Sequence, residues 1–299
     1  MFEAKHKWKA ILYLLPAFLF LAVFMIYPLV DVFVYSFEES YNIVTEQYTG
    51  IGLKNFVYVL KDPYFLQALK NTIILVVITV PISTILAILI ALALNSVFKL
   101  RRLFQTIYFL PYVTNTLAVG LVFMVLFKDN SDVSLSVINS IITSLGLNKV
   151  DFISGPYWAK MLVFCIYVIW IVLPFKILIL TSALASVKKD YYDAAKIDGS
   201  SKNRMFFKIT LPMISPTIFY LVITGFIGAF KAYSDAVALF GVNLNTIEMN
   251  TLVGYVYDAL YRDGGYPSFA SAAAIILFVI VLTITVINLM VSKKTVHYE

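Results

Sequence analysis

Six stretches of this chain, residues 10–30, 72–94, 103–127, 161–184, 212–230 and 269–291, each run for about 20 mostly apolar residues, the length an α-helix needs to cross a bilayer core. The runs are unbroken and do not repeat apolar residues on one face only, so they do not describe a water-soluble core. They do not alternate apolar with polar residues, which excludes the strands of a membrane β-barrel. In hydrocarbon every backbone donor needs a partner within its own segment, so each run predicts a helix. Pro81 and Pro174 fall inside runs, where neighbouring helices and hydroxyl side chains can satisfy the carbonyls they free. The whole composition agrees: 61% of residues are hydrophobic and 13% charged, against about half and a quarter in soluble domains. The basic start at residues 1–9 leads into a run too long for a secretory leader, with no small-residue cleavage site after it, so the first run predicts a retained helix. The expected fold is an all-α integral membrane protein with six transmembrane helices in a single domain over residues 1–299.

Lys and Arg concentrate in the cytoplasmic connections of membrane proteins. If the chain starts inside, the inner segments hold 14 of them and the outer ones 8, with Lys176 alone inside a run. This bias predicts both termini in the cytoplasm. It also accounts for the net charge of +6 without nucleic acid, because the basic residues sit in the short gaps between apolar runs. Cys165 is the one cysteine, and His6 and His297 lie near the two ends, so neither a disulfide within the chain nor a transition-metal site is expected. No G-x-x-x-x-G-K-[ST] phosphate loop occurs, so no ATP hydrolysis, catalytic residue or cofactor is expected in this chain. A secondary carrier would show acidic groups in mid-membrane; Asp31 and Asp235 lie near run ends instead.

The connection at 128–158 carries Val133, Val137, Ile138, Ile141, Ile142 and Leu145 at three- and four-residue spacing. Ser131 or Asp132 can cap its start and Gly146 can end it, predicting a short amphipathic helix. Such a helix can lie on the outer surface or pack on the bundle.

The most basic connection spans residues 187–212. Asp190 is a good N-cap and Asp193 a favourable first-turn carboxylate. Ala194 and Ala195 are strong helix formers that leave a bare patch another protein can approach closely. Gly199 can take a left-handed conformation and end the helix. Leu211-Pro212 then opens the next run, with Pro at a first helical position. On physics alone this is also what an inner-surface helix held by anionic membrane lipid looks like.

Asp193-Ala194-Ala195, Gly199, Ile209, Leu211 and Pro212 fall at the spacings of the EAA loop of binding-protein-dependent ABC transporter permeases, E-A-A, three residues, Gly, nine residues, I-x-L-P. The chain departs from that pattern in carrying Asp193 where the family has Glu. It resembles the carbohydrate branch, the maltose and glycerol-phosphate permease type, in the string around Tyr191-Tyr192-Asp193, in Phe109-Leu110-Pro111-Tyr112, in Ser271-Ala272-Ala273-Ala274 and in the Lys293–Tyr298 end. The resemblance implies the type I importer permease fold in the bacterial inner membrane and a sugar or related solute such as a polyol or glycerol phosphate. It also implies four partners or more: a second homologous permease subunit, two ATPase subunits that receive the 187–212 loop, and an extracytoplasmic solute-binding protein.

Sugar sites combine aromatic faces with polar groups. In the family the pathway lies among the later spans, which singles out Asn115, Trp170, Phe230, Tyr233, Ser234 and Asp235. The aromatics also suit packing or an interfacial belt, and Asn115 suits an interhelical hydrogen bond. Lys176 is the one Lys or Arg deep in a run. At a rise of ~1.5 Å per residue it lies ~22 Å from residue 161 and ~12 Å from residue 184. A lysine stem covers about half of the shorter distance, so an aqueous pathway, a partner carboxylate or snorkelling in a thinned bilayer are the alternatives.

Overall fold

The structure, a computed structural model, describes residues 7–42, 45–96, 101–129, 136–261 and 265–295. It divides into two compact units, residues 1–65 with 255–279 and residues 66–254 with 280–299. Helix α1 (Lys7–Leu21) continues through a π-helical stretch (Ala22–Ile26) into α2 (Tyr27–Phe37), which makes one apolar helix over Ile11–Phe37. A small antiparallel ladder, β1 (Glu38–Glu39) with β2 (Gly50–Ile51), follows in a chain otherwise read as all helical. Helix α3 (Lys54–Lys61) closes on that ladder. Buried Asn55 donates to the carbonyls of Ser36 and Glu38, both at 3.0 Å, and Lys54 pairs with Glu39 at 2.5 Å. The two Asn55 bonds give partners to backbone carbonyls at the junction of α2 and β1.

The second unit is built on α4 (Pro63–Ser96), α5 (Arg101–Val113), α6 (Thr116–Phe127), α7 (Val137–Ser144), α8 (Tyr157–Ser186), α9 (Lys189–Ile197), α10 (Lys202–Met205), α11 (Leu211–Phe230) and α12 (Ser234–Phe240). Helices α13 (Leu252–Tyr261) and α14 (Pro267–Thr295) complete the order. One buried cluster gathers Phe164, Tyr167, Leu239, Leu244 and Met249; another gathers Ala87, Ala91, Leu180, Ile214 and Leu221. The small Ala87 and Ala91 allow close helix packing, as expected where lipid removes the hydrophobic drive between helices. The segment before α13 is pinned by side chains: Asn71 donates to the carbonyls of Glu248 and Asn250, and buried Lys160 donates to that of Ile247 at 2.7 Å.

Among the described residues, five helices are long and apolar enough to cross a membrane: Ile11–Phe37, Pro63–Asn95, Tyr157–Ser186, Lys202–Phe230 and Pro267–Ser292. The remaining stretch, 103–127, is not the single helix the hydropathy predicts. It breaks at Thr114-Asn115, and the Asn115 side chain accepts from the Leu117 N–H at 2.8 Å to cap α6. An N-cap bond of this kind competes with continued helix because it satisfies a donor at the new helix start. The fifth crossing also differs from expectation. It does not begin at Leu211-Pro212 but runs unbroken from Lys202 through a π-helical stretch (Phe206–Thr210).

Candidate functional site

Between α4, α5, α8, α11 and α12 lies a cavity of about 200 Å³. Lys176 reaches it from α8 and is only 3% exposed. Its three ammonium donors meet Ser83 Oγ at 2.7 Å, Thr84 Oγ1 at 2.8 Å and the Val80 carbonyl at 3.4 Å, all on α4. None of these acceptors carries charge, and no carboxylate lies within ion-pair distance of Lys176 among the described residues. The lysine does not snorkel to a membrane surface; it crosses from one helix to the next. A carboxylate of the second permease subunit, another of the alternatives, would have to come from outside this chain.

Asp235, in the first turn of α12, lines the same cavity. It has no hydrogen bond to another described side chain. Tyr112 and Phe175 stack on each other at 5.4 Å between centroids and 20° between planes, and both line the space. Thr79, Ser83 and Thr224 add hydroxyl groups. Aromatic faces, hydroxyls, one carboxylate and one ammonium suit a polyhydroxylated solute, which needs an apolar platform and several bidirectional hydrogen-bonding groups. Among the described residues no group of His, Cys, Asp or Glu is arranged to hold a metal ion.

Of the seven sequence-derived pathway residues, the cavity gathers Lys176 and Asp235. Asn115 is exposed and spent on the α6 cap. Trp170 is half exposed, 6.3 Å from the Phe123 ring on another face of α8. Phe230 is buried at the end of α11, Tyr233 packs against the Phe164 cluster, and Ser234 is exposed; none of the three lines the cavity. Reasoning from sequence missed Tyr112, Phe175 and Ser83. Ser83-Thr84 beside Pro81 was the available signal, because mid-membrane hydroxyls serve as interhelical donors and acceptors. A larger groove of about 730 Å³ lies in the first unit beside Tyr58 and Phe269. It is a weaker candidate because two of its charged groups already have partners: Lys54 is paired with Glu39, and Asp62 accepts from the Tyr255 hydroxyl at 2.7 Å.

The 187–212 connection forms a separate surface. Lys188, not Asp190, is the N-cap residue of α9; its extended backbone (φ −62°, ψ 135°) leaves Asp190 within the first turn, where its charge still suits the helix dipole. Gly199 stands at φ +72°, and the Gly199 and Ser200 N–H groups return to the carbonyls of Lys196 and Ala195, closing the helix end. Asp193 bonds Lys196 at 3.0 Å; that hydrogen bond holds its carboxyl below the usual range. The Tyr192 hydroxyl and Thr210 Oγ1 lie 2.9 Å apart and tie α9 to the start of the fifth crossing. No residue of α9 is buried, Ala194 is exposed, and Ile197 is 87% exposed. Ile209, Leu211 and Pro212 lie half-buried along the following helix.

The 187–212 connection and most of the cavity fall in a stretch that matches known proteins. The family model described as binding-protein-dependent transport system inner membrane component matches residues 83–296. The arabinooligosaccharides transport system permease protein AraP of Bacillus subtilis (strain 168) is 30% identical over 290 residues, covering 94% of this chain and 87% of that protein. The lactose transport system permease protein LacF of Rhizobium radiobacter is 32% identical over 282 residues, 93% and 90% of the two chains. The sn-glycerol-3-phosphate transport system permease protein UgpA of Yersinia pestis bv. Antiqua (strain Antiqua) is 27% identical over 298 residues, 98% and 97%. In the solved structure of a bacterial ABC transporter involved in the import of the acidic polysaccharide alginate, one chain superposes with a TM-score of 0.83 at 25% identity, over 97% of this chain and 96% of that one.

Proposed function

The chain belongs to the family of binding-protein-dependent transport system inner membrane components, and on that premise we propose that it lines half of a saccharide pathway and couples to separate ATPase subunits through residues 187–212. It is a multi-pass permease subunit of the inner membrane, of the kind found in sugar ABC importers. The match over 83–296 carries the reading, because that stretch contains the exposed α9 and every residue lining the Lys176 cavity except Thr79 and Val80. An oligosaccharide is the first choice of solute, given AraP; a glycerol-phosphate-type solute is the second, given UgpA. ATP hydrolysis belongs to other subunits, and a second permease subunit and an extracytoplasmic solute-binding protein complete the assembly. The exposed Ala194 and Ile197 supply a small, apolar, closely approachable docking face for an ATPase groove.

Gly199→Val tests the coupling role. A Cβ at Gly199 meets nothing within 4 Å, so the cost is backbone strain alone. A β-branched residue at φ +72° is an outlier, and escaping the left-handed region recovers roughly 1–2 kcal/mol, enough to redirect the chain after α9. Solute-stimulated ATP hydrolysis in proteoliposomes is expected to fall about tenfold, with normal membrane insertion. Gly199→Asn, which tolerates positive φ, should stay near wild type. Full coupling in the valine variant would remove the loop from the mechanism.

The orientation has its own test. With both termini and the 187–212 loop in the cytoplasm, a Lys149→Cys protein reacts with an impermeant maleimide on intact cells, and Lys202→Cys does not. The opposite labelling pattern would reject the orientation and ATPase docking together.

A further inference from the structure

We infer that α7 is an interfacial anchor whose exposed apolar face sits among the lipid acyl chains of the leaflet on the 128–156 side. Helix α7 is fixed in rotation. Ser136 caps its start by accepting from the Asn139 N–H. Asn139, fully buried, donates to both Asp129 carboxylate oxygens at 3.0 Å and to the Val150 carbonyl at 2.8 Å, and its Oδ1 accepts from the Val150 N–H at 3.0 Å. Asp129 also accepts from the Ser136 N–H, and these bonds hold its carboxyl below the usual range. Ser131, Asp132 and Val133, expected at the helix start, lie outside the described residues.

With the rotation fixed, the faces can be assigned. Residues advance about 100° each around a helix. Val137, Ile141 and Leu145 then occupy one side of a continuous apolar arc, and Ile138 and Ile142 the other side. Ile138 and Ile142 pack against the cluster containing Phe127 and Phe152. Val137, Ile141 and Leu145 are 52%, 53% and 72% exposed, and Leu147 adds another exposed leucine. Asn139, Ser140, Thr143 and Ser144 fill the opposite arc. The apolar arc is thus about twice as wide as the part the bundle covers, and the uncovered half lies directly beside the covered half. That is the disposition of a helix resting where a protein wall meets lipid.

Three further observations select lipid over water or a soluble partner. Ile138 and Ile142 pack against the cluster that holds Phe127, the last residue of α6, and Tyr157, the first of α8, so α7 sits at the ends of these two apolar helices. Trp158, at the start of α8, is exposed, as suits an aromatic belt at that depth. Residues 136–148 contain no charge, whereas soluble docking patches are ringed by polar and charged residues and centred on aromatic or Arg anchors. Membrane-level anchoring at this point would hold the 128–156 connection in place while the crossings on either side of it move.

The test uses the whole complex in lipid nanodiscs. Ile141→Cys and Leu145→Cys, each with Cys165→Ala, carry a bimane label, and Lys149→Cys serves as the aqueous control. Lipids bearing a shallow doxyl group are expected to quench the labels at 141 and 145 about twofold or more, with little quenching by iodide. The label at 149 should show the reverse. Iodide quenching at 141 and 145 equal to that at 149 would put the face in water. Shielding from both quenchers would mean that a protein subunit covers it, and either result overturns the inference.

Discussion

A Lys176→Met protein is expected to insert and assemble like wild type yet lose solute-stimulated ATP hydrolysis by about tenfold or more, equivalent to at least ~1.4 kcal/mol of coupling. Methionine keeps the reach of the side chain and removes the charge. The Ser83 and Thr84 hydroxyls lose a donor but still bond the Val80 carbonyl, at 3.2 and 2.7 Å, so the substitution strands no polar group. Removing a buried charge also removes its desolvation cost, so the fold tolerates the change. Removing the acceptors instead does the opposite. Ser83→Ala with Thr84→Val leaves the ammonium only the Val80 carbonyl at 3.4 Å. A buried ion deprived of its partners costs about 3–5 kcal/mol, which should appear as lower thermal stability and poorer yield. Two measurements on the same assembly, detergent-extracted melting temperature and coupled hydrolysis, therefore separate the two variants. Wild-type hydrolysis by Lys176→Met would remove the charge from the coupling mechanism. Failure of Lys176→Met to assemble would instead make the lysine a structural cross-link between α4 and α8.

What makes Lys176 hard to interpret from sequence is also clear from these bonds. Its partners lie 92 and 93 residues away in the chain, and nothing local to α8 announces them. The crossings themselves are legible, because spanning length and apolar content are local properties of a run. Their faces are not. Helix α8 is apolar all round, so hydropathy gives no phase. Trp170 was as reasonable a pathway residue as Phe175, although only Phe175 faces the cavity. The break at Thr114-Asn115 is invisible to hydropathy for a related reason: one capping side chain decides it, and a window of twenty residues averages that side chain away. The end of α9 was legible because a glycine requirement is local, and Gly199 meets it with φ +72°. The small ladder of β1 with β2 was missed because two-residue strands leave no periodicity to detect.

Gly120→Leu is expected to reduce the yield of folded, monodisperse protein about tenfold, through a clash of backbone with side chain that has no local escape. Gly120 is buried in α6 where α12 crosses it. A Cβ placed there would stand 2.7 Å from the Ala238 carbonyl oxygen and 2.8 Å from its carbonyl carbon. Those atoms belong to the main chain of α12 and cannot rotate aside as a side-chain tip can. Relief requires α12 to move as a unit, together with buried Leu239, and forced overpacking of this kind costs about 1–3 kcal/mol or more. The consequence reaches the cavity because Asp235 occupies the first turn of the same short helix. Any protein that does fold should therefore show impaired coupling as well. Ala238→Gly in the Gly120→Leu background removes the facing methyl group but leaves the carbonyl, so it should fail to restore yield. Gly228→Ala provides the contrast: a Cβ there meets nothing within 4 Å, and an added methyl inside a helix should be neutral or stabilising by up to ~1 kcal/mol. Rescue by Ala238→Gly would place the clash at the methyl group. Wild-type yield and coupling in Gly120→Leu would mean that α12 can leave α6 without disturbing the wall that carries Asp235.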